Sequence, residues 1–350
     1  MRVPLDEPAW WYRDDAGGMA ACLAPLASIY GWAAAMRYAR TQSYRSRLPV
    51  ICAGNFTAGG TGKTPLVLHL CERLRTHGQH PVALTRGYGG RQHGPHRVSD
   101  ADTAGDVGDE ALMLARTAPT LIARDRGAGA RAVETMPGPV SVIVMDDGLQ
   151  NPSLAKDLAI AMVDGSRGLG NGLVIPAGPL RAPLDFQLGL ADAIVVNGAG
   201  AGDQVAERLR HRFNGPVLRS STVVAGDATW LQGQRIVAWA GIASPQRFIA
   251  TLETQGAEVV ERVFFRDHQR LRQADAERLL ALAHRLQARL VSTEKDLARL
   301  KGAIGKLAAL AAATRVLQIR LSFAEPDAER LAAMIDSAIK GHRERIGSSK

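Results

Sequence analysis

The chain alternates short, wholly apolar runs with longer stretches in which apolar residues recur every three to four positions, a rhythm that predicts buried strands separated by amphipathic helices. Residues 49–54 read as a strand, a glycine-rich turn follows, and a helix runs over residues 63–77 until Gly78 stops it. The rhythm recurs with a strand at 81–85, a polar glycine-rich loop through Asp106, a helix at 109–117, a strand at 120–123, a helix at 128–136 and a strand at 140–145. Two further apolar strands, 158–163 and 193–196, are separated by the Gly- and Pro-rich segment 165–183, too long for a simple turn and read as a substrate-binding element. Strands that are apolar on both faces and alternate with helices belong to a parallel sheet covered on each side.

A second unit begins near Gly226. Its strands are expected at 235–240, 258–265, 289–292 and 315–321, and its helices at 244–255, 274–287 and 326–339, with Ser244 as a cap and Pro245 at the first helical position. The organisation read from the pattern is an N-terminal apolar helix with a basic connector (1–47), a first α/β unit (48–225), a smaller α/β unit (226–340) and a polar tail (341–350).

The N-terminal segment changes the picture of a purely soluble protein. Residues 16–36 carry no charge, and at about 1.5 Å per residue a helix of that length reaches across a bilayer. Pro25, three glycines and many alanines weaken it as a span, and Asp14 and Asp15 stand where a secretory signal carries positive charge. Trp10, Trp11, Tyr12, Tyr30 and Trp32 near its ends, followed by Arg37, Arg40, Arg45 and Arg47, favour a helix lying at a lipid interface over a span or a core helix. Forty-three Lys and Arg against 34 Asp and Glu give a net charge of +9, which favours anionic partners without choosing among them. The basic residues are scattered and no helix-turn-helix, RNP or zinc pattern occurs, so nucleic acid is not an expected partner. Cys22, Cys52 and Cys71 fit neither a disulfide framework nor a C-x-x-C metal site.

The chemistry concentrates after the first strand. Thr57-Ala58-Gly59-Gly60-Thr61-Gly62-Lys63-Thr64 links a strand to a helix, the context in which backbone N–H groups cradle phosphates, a lysine meets the β- and γ-phosphates and a hydroxyl ligates Mg²⁺. Thr57 stands where the general pattern has glycine, and Ala58 stands where partitioning ATPases carry an additional lysine, so a kinase-like loop is favoured. The apolar strand ending in Asp146 and Asp147 suits a metal-facing carboxylate with a second acid beside it. Gly108-Asp109-Glu110 opens a helix, with Asp109 expected as its N-cap. Asp267-His268 follows a strand as either a surface loop or a base dyad, while Thr293 to Asp296 reads only as a helix-capping turn. Arg86, Arg124, Arg126 and Arg181 lie at strand ends or in loops where they can recognise anions.

With these residues assembled, the chain resembles the tetraacyldisaccharide 4′-kinase family, membrane-associated kinases of lipid A biosynthesis in Gram-negative bacteria. The likeness is carried by Gly54 to Pro65, Thr85 to Gly89, Gly108 to Glu110, Asp146 to Gln150, Gly170 to Arg181, Asp267-His268 and Thr293 to Asp296, and the family's own loop also lacks the glycine at position 57. Ala111, Asn151, Ala182 and Gln269 depart from the family's usual Pro, His, Glu and His. The resemblance implies a P-loop NTPase-type α/β/α core with a smaller C-terminal α/β/α domain. It also implies transfer of the ATP γ-phosphoryl group to the 4′-hydroxyl of tetraacyldisaccharide 1-phosphate with Mg²⁺, at the cytoplasmic face of the inner membrane, with no obligate protein partner. It further implies Thr57 to Thr64 as the nucleotide loop, Asp109 as a base oriented by His268, Lys63 and Asp147 as active-centre groups, Thr64, Glu110 and Asp146 at the metal, and Arg86, Gln150 and Arg181 at the substrate. A P-loop kinase for a soluble sugar and a regulatory ATPase are the remaining alternatives.

Overall fold

The computed structural model describes residues 7–13, 17–198, 200–267 and 269–348. The strands are β1 (Val50–Asn55), β2 (Pro81–Thr85), β3 (His96–Arg97), β4 (Thr120–Ile122), β5 (Val142–Asp146), β6 (Leu158–Asp164), β7 (Ala193–Asn197), β8 (Val217–Val224), β9 (Arg235–Ala240), β10 (Glu258–Phe264), β11 (Arg289–Thr293), β12 (Thr314–Leu317) and β13 (Ile319–Ser322). They form a nine-stranded sheet in the order β13-β8-β7-β6-β1-β5-β2-β4-β3 and a four-stranded sheet in the order β10-β9-β11-β12. The small sheet is parallel throughout, and the large one is parallel except at its two edges, where β13 and β3 run against β8 and β4.

Every residue of β1, β5, β6 and β7 is buried, as strands covered on both faces require. Leu66, Val67, Leu70 and Leu74 of helix Lys63–Thr76 close one face, while Ala130, Val133, Ala206 and Leu209 from helices Arg126–Glu134 and Ala201–Arg210 close the other. β1 lies where the strand order turns, between β5 and β6, so the crevice beyond its carboxyl end is the place this topology offers a ligand.

The structure departs from the sequence pattern at the C-terminus. The single strand expected over 315–321 is two strands: β12 completes the small sheet beside β11, and after Gln318 the chain crosses to pair β13 with β8 in the large sheet. Leu317 is buried in the core of the small sheet and Leu321 in that of the large one. The helix expected to stop at residue 339 runs from Asp327 to Gly347, so residues 341–347 are helical rather than a loose polar tail. Its Leu331, Ile335 and Ile339, spaced one turn apart, pack into the apolar cluster that holds Leu66 and Leu70, each such side chain contributing about 1.5–3 kcal/mol when fully buried. His342 lies beyond them with Nδ1 3.0 Å from Asp157 Oδ2, and Arg345 pairs with the same carboxylate. The final strand and helix therefore belong with the first unit, which corrects the boundary drawn at 226–340.

The N-terminal helix spans Gly17–Arg40, and by length and composition it is apolar enough to cross a membrane. Only a narrow line of small residues, Ala20, Ala27 and Gly31, is buried against the protein, and Gly31 faces Pro183 and Val174 so closely that a methyl group there would lie 3.1 Å from the proline ring. Met19, Leu26, Ile29, Tyr30 and Trp32 stand 47–65% exposed on the remaining surface.

Candidate active site

The loop after β1 is shaped by contacts with its own chain. Gly62 caps the following helix with φ 87°, a left-handed conformation that glycine adopts at no steric cost. The Asn55 side chain donates to the Thr57 carbonyl at 2.7 Å and more weakly to that of Gly59 at 3.5 Å. The segment expected as a substrate element braces the loop from outside: Ala58 N–H donates to Pro179 O at 2.7 Å, Arg181 N–H to Phe56 O at 2.9 Å and Arg181 Nε to Thr57 O at 3.1 Å. The N-terminal strap also reaches it, because the Glu7 carboxylate, held by Tyr12 at 3.0 Å and Arg167 at 2.8 Å, lies against Gly59.

β5 delivers its two acids to different surroundings. Asp147 turns into a left-handed conformation, φ 51°, its N–H bonded to Ala53 O at 2.9 Å, and its Oδ1 accepts from Arg181 at 2.6 Å with Lys63 Nζ at 3.5 Å. Burial works to raise this carboxyl, yet Arg181 and Lys63 hold it well below the ordinary carboxylate range. Asp146 is 1% exposed, with Oδ2 accepting from the Thr85 hydroxyl at 2.9 Å and Oδ1 buried without a hydrogen-bond partner. Burial first, then the charges of Glu110 and Asp147, push it up to about 7. Behind the strand, the wholly buried Arg126 donates to the Asp146 carbonyl at 3.2 Å and to that of Ala123, and burial lowers its pKa.

This arrangement makes an ionised Asp146 costly to the fold at alkaline pH. Its folded pKa lies above the unfolded value of 3.8, so the stability it contributes is present in acid and lost as pH rises through about 7. Asp146→Asn is therefore expected to raise the melting temperature above that of wild type, by more at pH 8 than at pH 5, because the loss begins near the unfolded value of 3.8 and is complete only above about 7. Equal shifts at both pH values would contradict the assignment.

Gly108, at φ 90°, sits so close to the Tyr88 carbonyl that a Cβ would fall 2.3 Å from it, and it is this glycine that caps helix Asp109–Ala115. Asp109, expected as the cap, occupies the first helical position instead. It is 4% exposed, its Oδ1 accepts from Glu110 N–H at 2.9 Å, and its Oδ2 accepts from Arg299 Nε at 2.6 Å. Glu110 Oε1 lies 3.5 Å from Lys295 Nζ, which is also 3.3 Å from Asp267 Oδ1.

Lys295 and Arg299 were not legible as site residues. The capping turn expected at Thr293 forms, with Thr293 accepting from Asp296 N–H at 3.2 Å, and helix Glu294–Arg299 then presents the two cations one turn apart to the acids of the first unit. The signal available in the sequence was that four-residue spacing after the capping turn. Burial opposes both cations, but the carboxylates of Asp109, Asp267 and Glu110 around Lys295, and of Asp109, Asp296 and Asp267 around Arg299, raise their pKa values.

Of the other expected residues, Thr64 opens the loop helix beside Lys63. Gln150 donates to Asn55 O and to Gln187 Oε1, each at 2.6 Å, so it braces β1. Arg86 stands exposed beyond β2. His268 lies outside the described residues. Among the described residues no three His, Cys, Asp or Glu side chains converge as a ready-made metal cage.

A glycine-rich loop joining a central parallel strand to a helix, with its lysine facing paired strand-end acids, defines a P-loop NTPase-type scaffold of the kinase kind. The sequence matches the tetraacyldisaccharide-1-P 4′-kinase (LpxK) family over residues 19–340, and the chain belongs to that family. It is 44% identical to the tetraacyldisaccharide 4′-kinase of Nitrobacter winogradskyi over 93% of this chain and 96% of that one. It is 43% identical to the enzyme of the same name from Parvibaculum lavamentivorans, over 97% of this chain and 100% of that one. The fold is similar to a crystal structure of LpxK from Aquifex aeolicus in complex with ATP, with a TM-score of 0.71 at 23% identity, covering 92% of this chain and 99% of the other.

Proposed function

We propose that this protein is an ATP-dependent lipid kinase that phosphorylates the 4′-hydroxyl of a tetraacyldisaccharide 1-phosphate, the lipid A precursor, at the cytoplasmic surface of the inner membrane. The observation that carries this reading is a phosphate-binding loop whose lysine meets the strand-end acids, with Glu110, next to Asp109, close enough for its charge to act on Asp146, in a chain that follows the kinase family over residues 19–340.

Phosphoryl transfer asks the protein for positioning and charge neutralisation more than for covalent chemistry. Residues Thr57 to Thr64 would hold the triphosphate, with Lys63 leaving Asp147 to meet its terminal oxygens and Arg181 keeping Asp147 compensated as it does so. Asp109 would take the proton from the acceptor hydroxyl as the hydroxyl oxygen bonds to the γ-phosphorus and the bond from that phosphorus to the β–γ bridging oxygen breaks, releasing ADP, with His268 as its orienting partner. The second unit closes over the loop, since Ala243 packs against Gly60 and its carbonyl accepts from Arg167 at 3.0 Å; this contact would help exclude water.

The donor set fits Mg²⁺: the unpartnered Asp146 Oδ1 is a hard oxygen beside the loop, and Mg²⁺ is commonly held by one or two carboxylates together with substrate phosphates. Thr64, Asp146 and Glu110 would hold the ion, which supplies charge neutralisation at the phosphates when bound.

The test is acceptor choice. With γ-labelled ATP in mixed micelles, label is expected in tetraacyldisaccharide 1-phosphate and not in soluble amino sugars at the same concentration; the reverse preference would point to a kinase for a soluble metabolite. The exposed apolar surface of helix Gly17–Arg40 would lie among lipid acyl chains, with Arg37 and Arg40 in its last turn toward acidic headgroups. Deleting residues 1–40 is expected to move the protein from the membrane fraction to the supernatant. An undiminished membrane fraction would contradict this role for the helix.

A further inference from the structure

Arg299 joins three elements at one point. Its Nε donates to Asp109 Oδ2 at 2.6 Å, its Nη1 to Gly241 O at 2.6 Å and to Asp296 Oδ1 at 2.9 Å, and its Nη2 lies 3.3 Å from Asp267 Oδ1. Gly241 follows β9, Asp267 follows β10, and Asp296 stands on the same short helix as Arg299, so three of the four partners come from the second unit. The fourth, Asp109, comes from the first. Beside this contact, Ala298 is buried in an apolar cluster with Val107, Ala111 and Leu112 of the first unit, which fixes the helix that carries the guanidinium. With Glu110 N–H on Oδ1 and Arg299 on Oδ2, the plane of the Asp109 carboxylate is set from two sides.

We infer that Arg299 is a positioning residue for Asp109, through which docking of the second unit orients the carboxylate that accepts the hydroxyl proton. The inference rests on the reading of Asp109 as the base. A planar guanidinium holds Asp109, Gly241 and Asp296 simultaneously because its donors diverge in fixed directions. A lysine at this position keeps the charge but has one nitrogen in place of the separated Nε, Nη1 and Nη2 donors, so it cannot reproduce all of these contacts. Nothing in the arrangement places Arg299 on the phosphate loop, so its contribution belongs to turnover and not to nucleotide capture.

The experiment is steady-state kinetics of Arg299→Gln, Arg299→Lys, Asp109→Asn and the double variant Asp109→Asn/Arg299→Gln in the full-length protein, each checked by thermal melting. Arg299→Gln is expected to lower kcat by about 10²-fold, the scale of an ångström-level misplacement of a reacting group, with KM for ATP within about threefold of wild type. Arg299→Lys should fall between it and wild type. In the Asp109→Asn background, removing Arg299 should cost little more, because the residue acts through Asp109. An unchanged kcat in folded Arg299→Gln overturns the inference, as does the same full loss in the Asp109→Asn background. If Arg299→Gln does not fold, Arg299→Lys decides: reduced kcat at unchanged KM supports the role, and wild-type kcat overturns it. Wild-type turnover in Asp109→Asn alone would instead overturn the assignment of the base, a separate result.

Discussion

Asp109→Asn is expected to lower kcat for phosphoryl transfer by about 10²–10⁴-fold, the usual contribution of a positioned general base, while ATP binding stays near that of wild type. The substitution keeps shape and volume, removes the charge and the proton-accepting capacity, and leaves one oxygen in place of the two that accept from Glu110 N–H and Arg299 Nε. ATP affinity should persist because Asp109 points toward Arg299 and the second unit, whereas the phosphate loop is organised by Asn55, Arg181 and the segment around Pro179. Single-turnover transfer with saturating ATP measures the effect directly. A variant that binds ATP and transfers phosphate at the wild-type rate would remove Asp109 from the chemistry.

Lys63→Ala is expected to act on both binding and turnover. In the proposed reading Lys63 is the cation that the loop would offer to the terminal phosphates, and deleting one such group from a preorganised site costs about 10²–10³-fold in rate. The loss should not unfold the protein, since Asp147, its partner at 3.5 Å, keeps the closer Arg181 at 2.6 Å. Weaker ATP binding together with depressed transfer, at an unchanged melting temperature, is the predicted pattern. Full activity would mean that the triphosphate does not lie on this loop.

Much of the nucleotide side of the site was readable in the sequence, because a strand, a glycine-rich turn, Lys63 and a helix are contiguous and the strand ending in Asp146-Asp147 is a continuous apolar run. Local order of that kind needs no tertiary information. The contacts across the cleft did need it. Arg299 and Asp109 are 190 positions apart, and an arginine at the end of a short helix has the same local pattern whether it faces solvent or a carboxylate. The departure from β12 to β13 was hidden for a related reason: Leu317 and Leu321 keep the alternation of a single strand while they fill two different cores. The helix beyond residue 339 reads as polar because His342 and Arg345 are polar, yet Asp157, at the foot of β6, draws both of them in. Asp109 itself illustrates a finer limit. Both Gly108 and Asp109 are acceptable helix caps, and it is the crowding of Gly108 against Tyr88 that places the boundary one residue earlier than side-chain capping preference suggests.

The central claim is that this cleft moves a phosphoryl group from ATP onto the 4′-hydroxyl of an acylated disaccharide. The most direct measurement is the position of the new phosphate in the product formed from ATP and tetraacyldisaccharide 1-phosphate, read by phosphorus NMR and mass spectrometry of the extracted lipid. A bis-phosphorylated lipid with its second phosphomonoester at the 4′ position is the predicted result. Recovery of unchanged monophosphate with only inorganic phosphate released, or phosphate at another hydroxyl, would contradict it.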